Sequence, residues 1–191
     1  MGDPKKKHKR YKTPKRPYDM DTLMEELRLI GTYGLRNKRE LWRLRTMLSR
    51  IRRMAREKLS MSPVERAEGE REMRRKLHSR GLVGEGATLE DLLILRVEDL
   101  MERRLQTVVF RRGMAKSLFQ ARQLITHGHI AAGGRKLRSP SYLVTLEDEA
   151  DLDYAGSSPL ADKGHPVRRE LTVSEMTGEM TGEMTGGEED G

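Results

Sequence analysis

One stretch limits this chain more than any other. Residues 104–146 read RLQTVVFRRGMAKSLFQARQLITHGHIAAGGRKLRSPSYLVTL, with eight Lys/Arg and no Asp or Glu in a chain that is 36% charged. A run of this length without acids must fold into an element that shows one sign of charge outward. Its local punctuation says which. Val108 and Val109 followed by Gly113 mark the end of a helix and its stop. Ser117-Leu118-Phe119-Gln120 is a capping box: the Ser117 hydroxyl accepts from the Gln120 amide and the Gln120 side chain reaches back. From there Leu118, Ala121, Leu124 and Ile125 recur at helical spacing, and Gly128 stands where a left-handed cap is wanted. Two short runs, His129–Ala132 and Arg135–Arg138, flank Gly133-Gly134, a pair that supplies the positive φ of a tight hairpin. Pro140 interrupts, and Tyr142-Leu143-Val144 is expected to resume as a third strand. The stretch predicts helix, turn, helix and a small curled sheet, facing a basic groove.

The rest of the chain is charged in blocks. Net charge is +12 over residues 1–60, −2 over 61–103, +8 over 104–146 and −10 over 147–191. Blocks of this size point to a polyanionic partner, and 35% hydrophobic residues is low for a self-contained globule. With no Cys there is no disulfide, thiol nucleophile or Cys-based zinc site, which suits an intracellular protein. No transmembrane span or secretory signal is read, so no membrane association is expected. Phosphate-loop, nucleophile-elbow and dinucleotide signatures are absent. An enzyme would need a catalytic domain that an arginine-rich helical region and an acidic tail do not provide. No catalytic residue, cofactor or metal is therefore expected. His127 and His129 stand two apart, read either as a metal pair without a third ligand or as backbone or phosphate contacts.

The opening PKKKHKRYKTPKRP should be an extended arm in solution, with Tyr11 and Tyr18 able to stack on bases when it orders. Thr22-Leu23-Met24-Glu25 predicts a capped short helix with Leu23, Leu27 and Ile30 on one face, ended by Gly31. Asn37, with Glu40 third, predicts the start of a long helix whose Leu41, Leu44, Leu48, Ile51, Ala55 and Leu59 form one apolar stripe. Much of its remaining surface is arginine, with only Glu40 and Glu57 as acids. A solvated helix interleaves both signs, so phosphate contact is the preferred reading, with Trp42 assigned to packing. Ser62-Pro63-Val64-Glu65 opens a self-paired helix reaching about Arg80. Thr88 caps a short turn, Leu89–Ile94, and Val97–Arg112 leads into the basic stretch with Val97, Leu100, Met101, Leu105, Val108 and Val109 inward. After Leu146 the run to Tyr154 is acidic, a solvated turn or a last strand. The Glu-Met-Thr-Gly repeats from Glu175 are low-complexity, and disorder is expected there.

RLQTVVFRRGMAKS, Ala121-Arg122, LITHGHI, the glycine turn and SPSYLV together resemble the RNA-binding module named after the small-subunit ribosomal protein four family. That module also occurs on some pseudouridine synthases, a tyrosyl-tRNA synthetase and a heat-shock protein. TPKRPYDMDTLMEELRLIGTYGLRNKRELWRL is similar to the amino-terminal region of the archaeal and eukaryotic branch of that family, and the likeness extends from about Thr13 to Arg168. Bacterial members often carry a cysteine cluster near this end; none stands here, so no zinc is implied. The resemblance implies an α+β fold: a basic extended arm (1–20), a helical domain (21–103), an RNA-binding module of helix-turn-helix and curled β-sheet (104–168) and an acidic tail (169–191). It implies a structural constituent of the small ribosomal subunit in the cytoplasm, binding small-subunit ribosomal RNA early in assembly. Neighbouring ribosomal proteins, and messenger RNA where it enters the subunit, are further implied partners, with an effect on decoding accuracy. The side chains assigned to RNA are Arg36, Lys38, Arg39, Arg43, Arg50 and Arg53 in the helical region. In the module they are Arg104, Arg111, Arg112, Lys116, Ser117, Arg122, Gln123, His127, Arg135, Lys136 and Arg138. Arg122 could instead brace the glycine hairpin. The alternative function is a freestanding RNA chaperone or ribosome-associated factor built on the same module.

Overall fold

The computed structural model describes residues 8–168, so the expectations for the first seven residues and for the acidic repeats lie outside the described residues. The fold is α+β, mostly helical with one three-stranded antiparallel sheet. The chain divides into two compact units between Arg103 and Arg104.

The first unit is built around its long helix. It contains α1 (Met20–Thr32), α2 (Lys38–Leu59), α3 (Pro63–His78), α4 (Leu89–Ile94) and α5 (Val97–Glu102), and α2 touches each of the other four. Asn37 caps α2, its Oδ1 accepting from the Glu40 amide at 3.2 Å. Leu41, Leu44, Leu48, Ile51 and Ala55 are all buried, whereas Leu59 is only half-buried. Each fully buried Leu or Ile contributes roughly 1.5–3 kcal/mol, against about 0.3–0.5 for an exposed i,i+4 ion pair. The stripe therefore decides how α2 sits, and the arginines take what surface remains. Thr88 and Asp91 form the capping box of α4.

Four expectations for this unit are corrected. The cap of α1 is Asp19, not Thr22; Thr22 Oγ1 donates to Asp19 Oδ2 at 2.6 Å. Gly31 lies inside the helix, which continues to Thr32. The face of Leu23, Leu27 and Ile30 is not the buried one: Leu27 is half-exposed, and the buried side chain of α1 is Glu26. The arm does not run free along its described length. The Lys12 amide donates to Thr46 Oγ1 at 3.0 Å and the Tyr11 ring lies 5.8 Å from that of Trp42. That covering is why Thr46, on the otherwise solvent-facing side of α2, is buried.

The run Val97–Arg112 forms two helices. Arg104 is extended (φ −73°, ψ 140°), and α6 (Leu105–Arg111) begins after it in the second unit. α7 (Leu118–His127), β1 (Ile130–Ala132), β2 (Arg135–Lys136), α8 (Leu146–Ala150) and β3 (Leu152–Tyr154) follow, with a 3₁₀ turn at Pro159–Ala161. Gly133 and Gly134 turn the β1–β2 hairpin with φ of 53° and 74°, values that cost a residue with a Cβ dearly. The sheet order is β2-β1-β3. The third strand is thus Leu152–Tyr154 and not Tyr142–Val144. The reason lies in α6: its first amides, on Leu105 and Gln106, donate to the carbonyls of Tyr142 and Pro140 at 2.8 and 3.4 Å. A helix start needs acceptors for such amides. The segment that could have been a strand supplies them, so the open edge of β1 pairs with the chain after α8. Leu105, Val109, Ile125, Ile130 and Val144 are fully buried in one core here.

Candidate nucleic-acid interface

In the second unit the candidate surface is assembled on α7 and the hairpin. Ala121, Leu124 and Ile125 face the core, which leaves Phe119, Gln123, Thr126 and His127 exposed on the other side of the helix, with half-buried Arg122 at its flank. Ser117 Oγ accepts from the Gln120 amide at 3.2 Å, as a cap should. The return contact is shifted by one residue, for Gln120 Oε1 accepts from the Lys116 amide at 2.6 Å. The first turn of α7 is thus partly capped from within. An anion there would meet the exposed Lys116 ammonium and the helix dipole more than open amides.

Gly128 ends α7 with φ 79°. The Arg138 side chain lies over it, so that a Cβ at this position would sit 3.1 Å from Arg138 Nε. Lys136 and Arg138 are exposed; Arg135 is exposed as well, with Nη2 3.5 Å from Asp148 Oδ1. Arg111 and Arg112 are exposed at the end of α6, and Arg112 Nη1 donates to the Leu152 carbonyl at 3.4 Å. His127 is exposed, its ring near-parallel to that of His129 with centroids 6.2 Å apart.

Arg104 is a correction. It is 2% exposed, and its backbone bridges Leu143 before capping α6. A guanidinium so enclosed offers no face to a phosphate, and it leaves the candidate set. The glycine hairpin is tied down by Asp148: its Oδ2 accepts from the Tyr142 hydroxyl at 2.5 Å while Oδ1 faces Arg135. The Tyr142 hydrogen bond, with those from Thr145, holds the Asp148 carboxyl below its ordinary range. The same hydrogen bond raises the Tyr142 phenol. Burial raises Tyr154, whose hydroxyl donates to the Met114 carbonyl at 2.7 Å.

The first unit sorts its cations differently. Glu26, 3% exposed, holds Arg45 Nη1 at 2.8 Å and Lys38 Nζ at 3.3 Å and accepts from Trp42 Nε1 at 2.9 Å. Lys38 is therefore anchored to a buried acid, a correction to its reading as an open contact. Arg52 Nη2 donates to the Leu95 carbonyl, and Arg53 pairs with Glu57 at 3.3 Å. Arg36, Arg39, Arg43 and Arg50 are exposed and have no partner among the described residues. Arg39, Arg43 and Arg50 fall within a narrow sector of α2, because steps of four and seven return to nearly the same face.

Two features escaped sequence reasoning. Glu26 was lost among the acids of α1, although its spacing from Leu23 and Ile30 placed it near the inner face. Phe119 is 68% exposed at the start of α7, next to Lys116; its position opposite Ala121, Leu124 and Ile125 was a readable signal that it faces outward.

The S4 domain family profile matches residues 103–149. The small ribosomal subunit protein uS4 of Ignicoccus hospitalis is 49% identical over 163 residues, covering 85% of this chain and 98% of its own. That of Hyperthermus butylicus is 48% identical, covering 85% and 93%. That of Thermoplasma acidophilum is 44% identical over 174 residues, covering 90% and 87%.

Proposed function

The chain belongs to the small ribosomal subunit protein uS4 family, and from that premise we propose that it is a structural constituent of the small ribosomal subunit, working in the cytoplasm as an RNA-binding protein of translation. It acts by holding RNA shape and not by chemistry, so no catalytic activity is assigned. The observation that carries the mechanism is the α7 and hairpin surface. Lys116 stands at the start of α7, and Lys136, Arg138 and Arg135 on and after the tight hairpin, with Asp148 paired to Arg135. Rigid cations lose little entropy on meeting a phosphate, and phosphate contacts fix position without reading sequence. Arg111, Arg112, Arg122, Gln123 and His127 extend this face, with Ser117 contributing through its cap. Arg36, Arg39, Arg43 and Arg50 form the second set, with Arg53 at its margin.

The finer reading is that the protein binds small-subunit ribosomal RNA early, nucleates assembly, touches neighbouring ribosomal proteins and messenger RNA, and influences accuracy. Reconstitution on isolated small-subunit ribosomal RNA with footprinting tests it: protection in the absence of other proteins is expected. Protection that appears only after other proteins have bound would contradict early binding. Co-sedimentation separates this from a freestanding chaperone. A constituent is stoichiometric with small subunits; a factor is substoichiometric or depends on stress.

A further inference from the structure

The basic face of the second unit contains one hollow that is not basic. A groove of about 290 Å³ lies against α7, with Leu124, Leu160 and Val167 as its apolar part and Gln123, His127, His129 and His165 among its polar lining. Among the described residues, no Lys or Arg lines it. That exclusion is informative in a surface otherwise chosen for phosphate, because an anion selects ammonium and guanidinium groups. An apolar floor with planar amide and imidazole edges suits a flat, uncharged heterocycle with hydrogen-bonding edges instead.

The groups are set up for one. The His127 and His129 rings are near-parallel, 14° apart, which presents imidazole faces in a common direction. His129 Nδ1 is fixed 2.8 Å from Ser158 Oγ, and His165 Nδ1 accepts from the Val167 amide at 3.3 Å, so each of these rings keeps Nε2 for a ligand. The Gln123 amide, exposed and without a partner among the described residues, offers a donor and an acceptor side by side. That is the pattern that pairs with two adjacent edge atoms of a base. Nor is this a metal site: among the described residues no three His, Asp or Glu side chains are placed to share an ion.

We propose that this groove is a nucleobase pocket, taking one unpaired base splayed from the RNA that the surrounding cations hold by its backbone. This rests on the RNA-binding reading above and deepens it. Recognition of RNA beyond its shape depends on such unstacked bases, and a groove of this volume accommodates a single base with its sugar outside. Phosphates would then set the register, while the pocket selects the one register in which an unpaired base falls opposite α7.

The test uses the full chain on small-subunit ribosomal RNA, with His127→Ala and Gln123→Ala as separate variants; both side chains are exposed, and unchanged melting temperatures check the fold. Base-edge chemical probing and backbone hydroxyl-radical footprinting are run together with affinity across salt. The expected result is one base whose edge is protected by the unsubstituted chain and reactive again in both variants, with the backbone footprint kept. Affinity should fall roughly five- to a hundredfold, the usual loss for one stacked base, and the log–log salt plot should shift in parallel. Base-edge protection that both variants leave unchanged overturns the pocket. So does a reduced salt slope in His127→Ala, which would make His127 a phosphate contact. An unsubstituted chain that binds the RNA yet protects no base edge near this face overturns the pocket and leaves RNA binding standing. Failure of that chain to bind at all would remove both.

Discussion

The two units carry similar chemistry and use it in opposite ways. In α2, cations are dense but many are engaged within the unit: Arg45 and Lys38 on buried Glu26, Arg52 on the Leu95 carbonyl, Arg53 on Glu57. In the second unit, Lys136 and Arg138 are exposed, and no acid or carbonyl among the described residues holds them. Counting arginines therefore overstates the first unit as a binding surface. What matters is whether a neighbouring acid or carbonyl already holds the charge, and only the fold shows that.

The comparison breaks most visibly at Glu26. Replacing it by Gln removes one charge from a cluster whose other members are about a third exposed. The loss should be about 2 kcal/mol, below the full cost of breaking a fully buried pair because solvent reaches Lys38 and Arg45. Thermal unfolding checks this, with Arg43→Ala as the contrasting variant whose midpoint should hardly move. An unchanged midpoint for Glu26→Gln would mean that the α2 cations are as open as those of the hairpin.

A smaller effect is expected at Gly128. Gly128→Ala forces a side chain to φ 79° and crowds Arg138, costing roughly 1–2 kcal/mol and shifting the Arg138 guanidinium. Denaturant titration and RNA affinity should both register it. Gly134→Ala, with open space around its Cβ position, should cost only the backbone part.

The smallest effect is in pH. The Asp148 carboxyl is held below its ordinary value of 3.8 in the fold. Its contribution is thus present above that value and lost as the pH falls through the folded pKa. Melting temperatures measured downward from pH 6 should drop in the acid range, and Asp148→Asn should flatten that part of the curve. An identical acid limb in the variant would show that the tie between Asp148, Tyr142 and Arg135 carries no stability.

What the sequence made legible follows the same division. Local chemistry could be read directly: Asn37, Thr88 and Ser117 as caps, Gly128 as a left-handed stop, Gly133-Gly134 as the hairpin. Each is decided within a few residues of backbone. What depends on distant partners could not. The helix break at Arg104 has no Gly or Pro to announce it and follows from Tyr142 and Pro140 accepting the first amides of α6. The same pairing diverts the expected third strand and helps enclose Arg104. For the site, residue type identified the cations, but Lys38 and Arg104 were assigned to RNA because no local pattern reveals an acid twelve residues away by chain or a closed environment.

The salt dependence of RNA binding separates open from engaged cations. Two double variants of the full chain, Lys136→Ala/Arg138→Ala and Arg45→Ala/Arg52→Ala, are titrated with small-subunit ribosomal RNA across monovalent salt. Each lost phosphate contact lowers the log–log slope by about 0.7–0.9 by analogy with DNA. The hairpin variant should therefore lose roughly 1.4–1.8 in slope with its melting temperature nearly kept, while the α2 variant should keep its slope and melt earlier. Equal slope losses in the two, or none in the hairpin variant, would contradict the division between open and engaged cations.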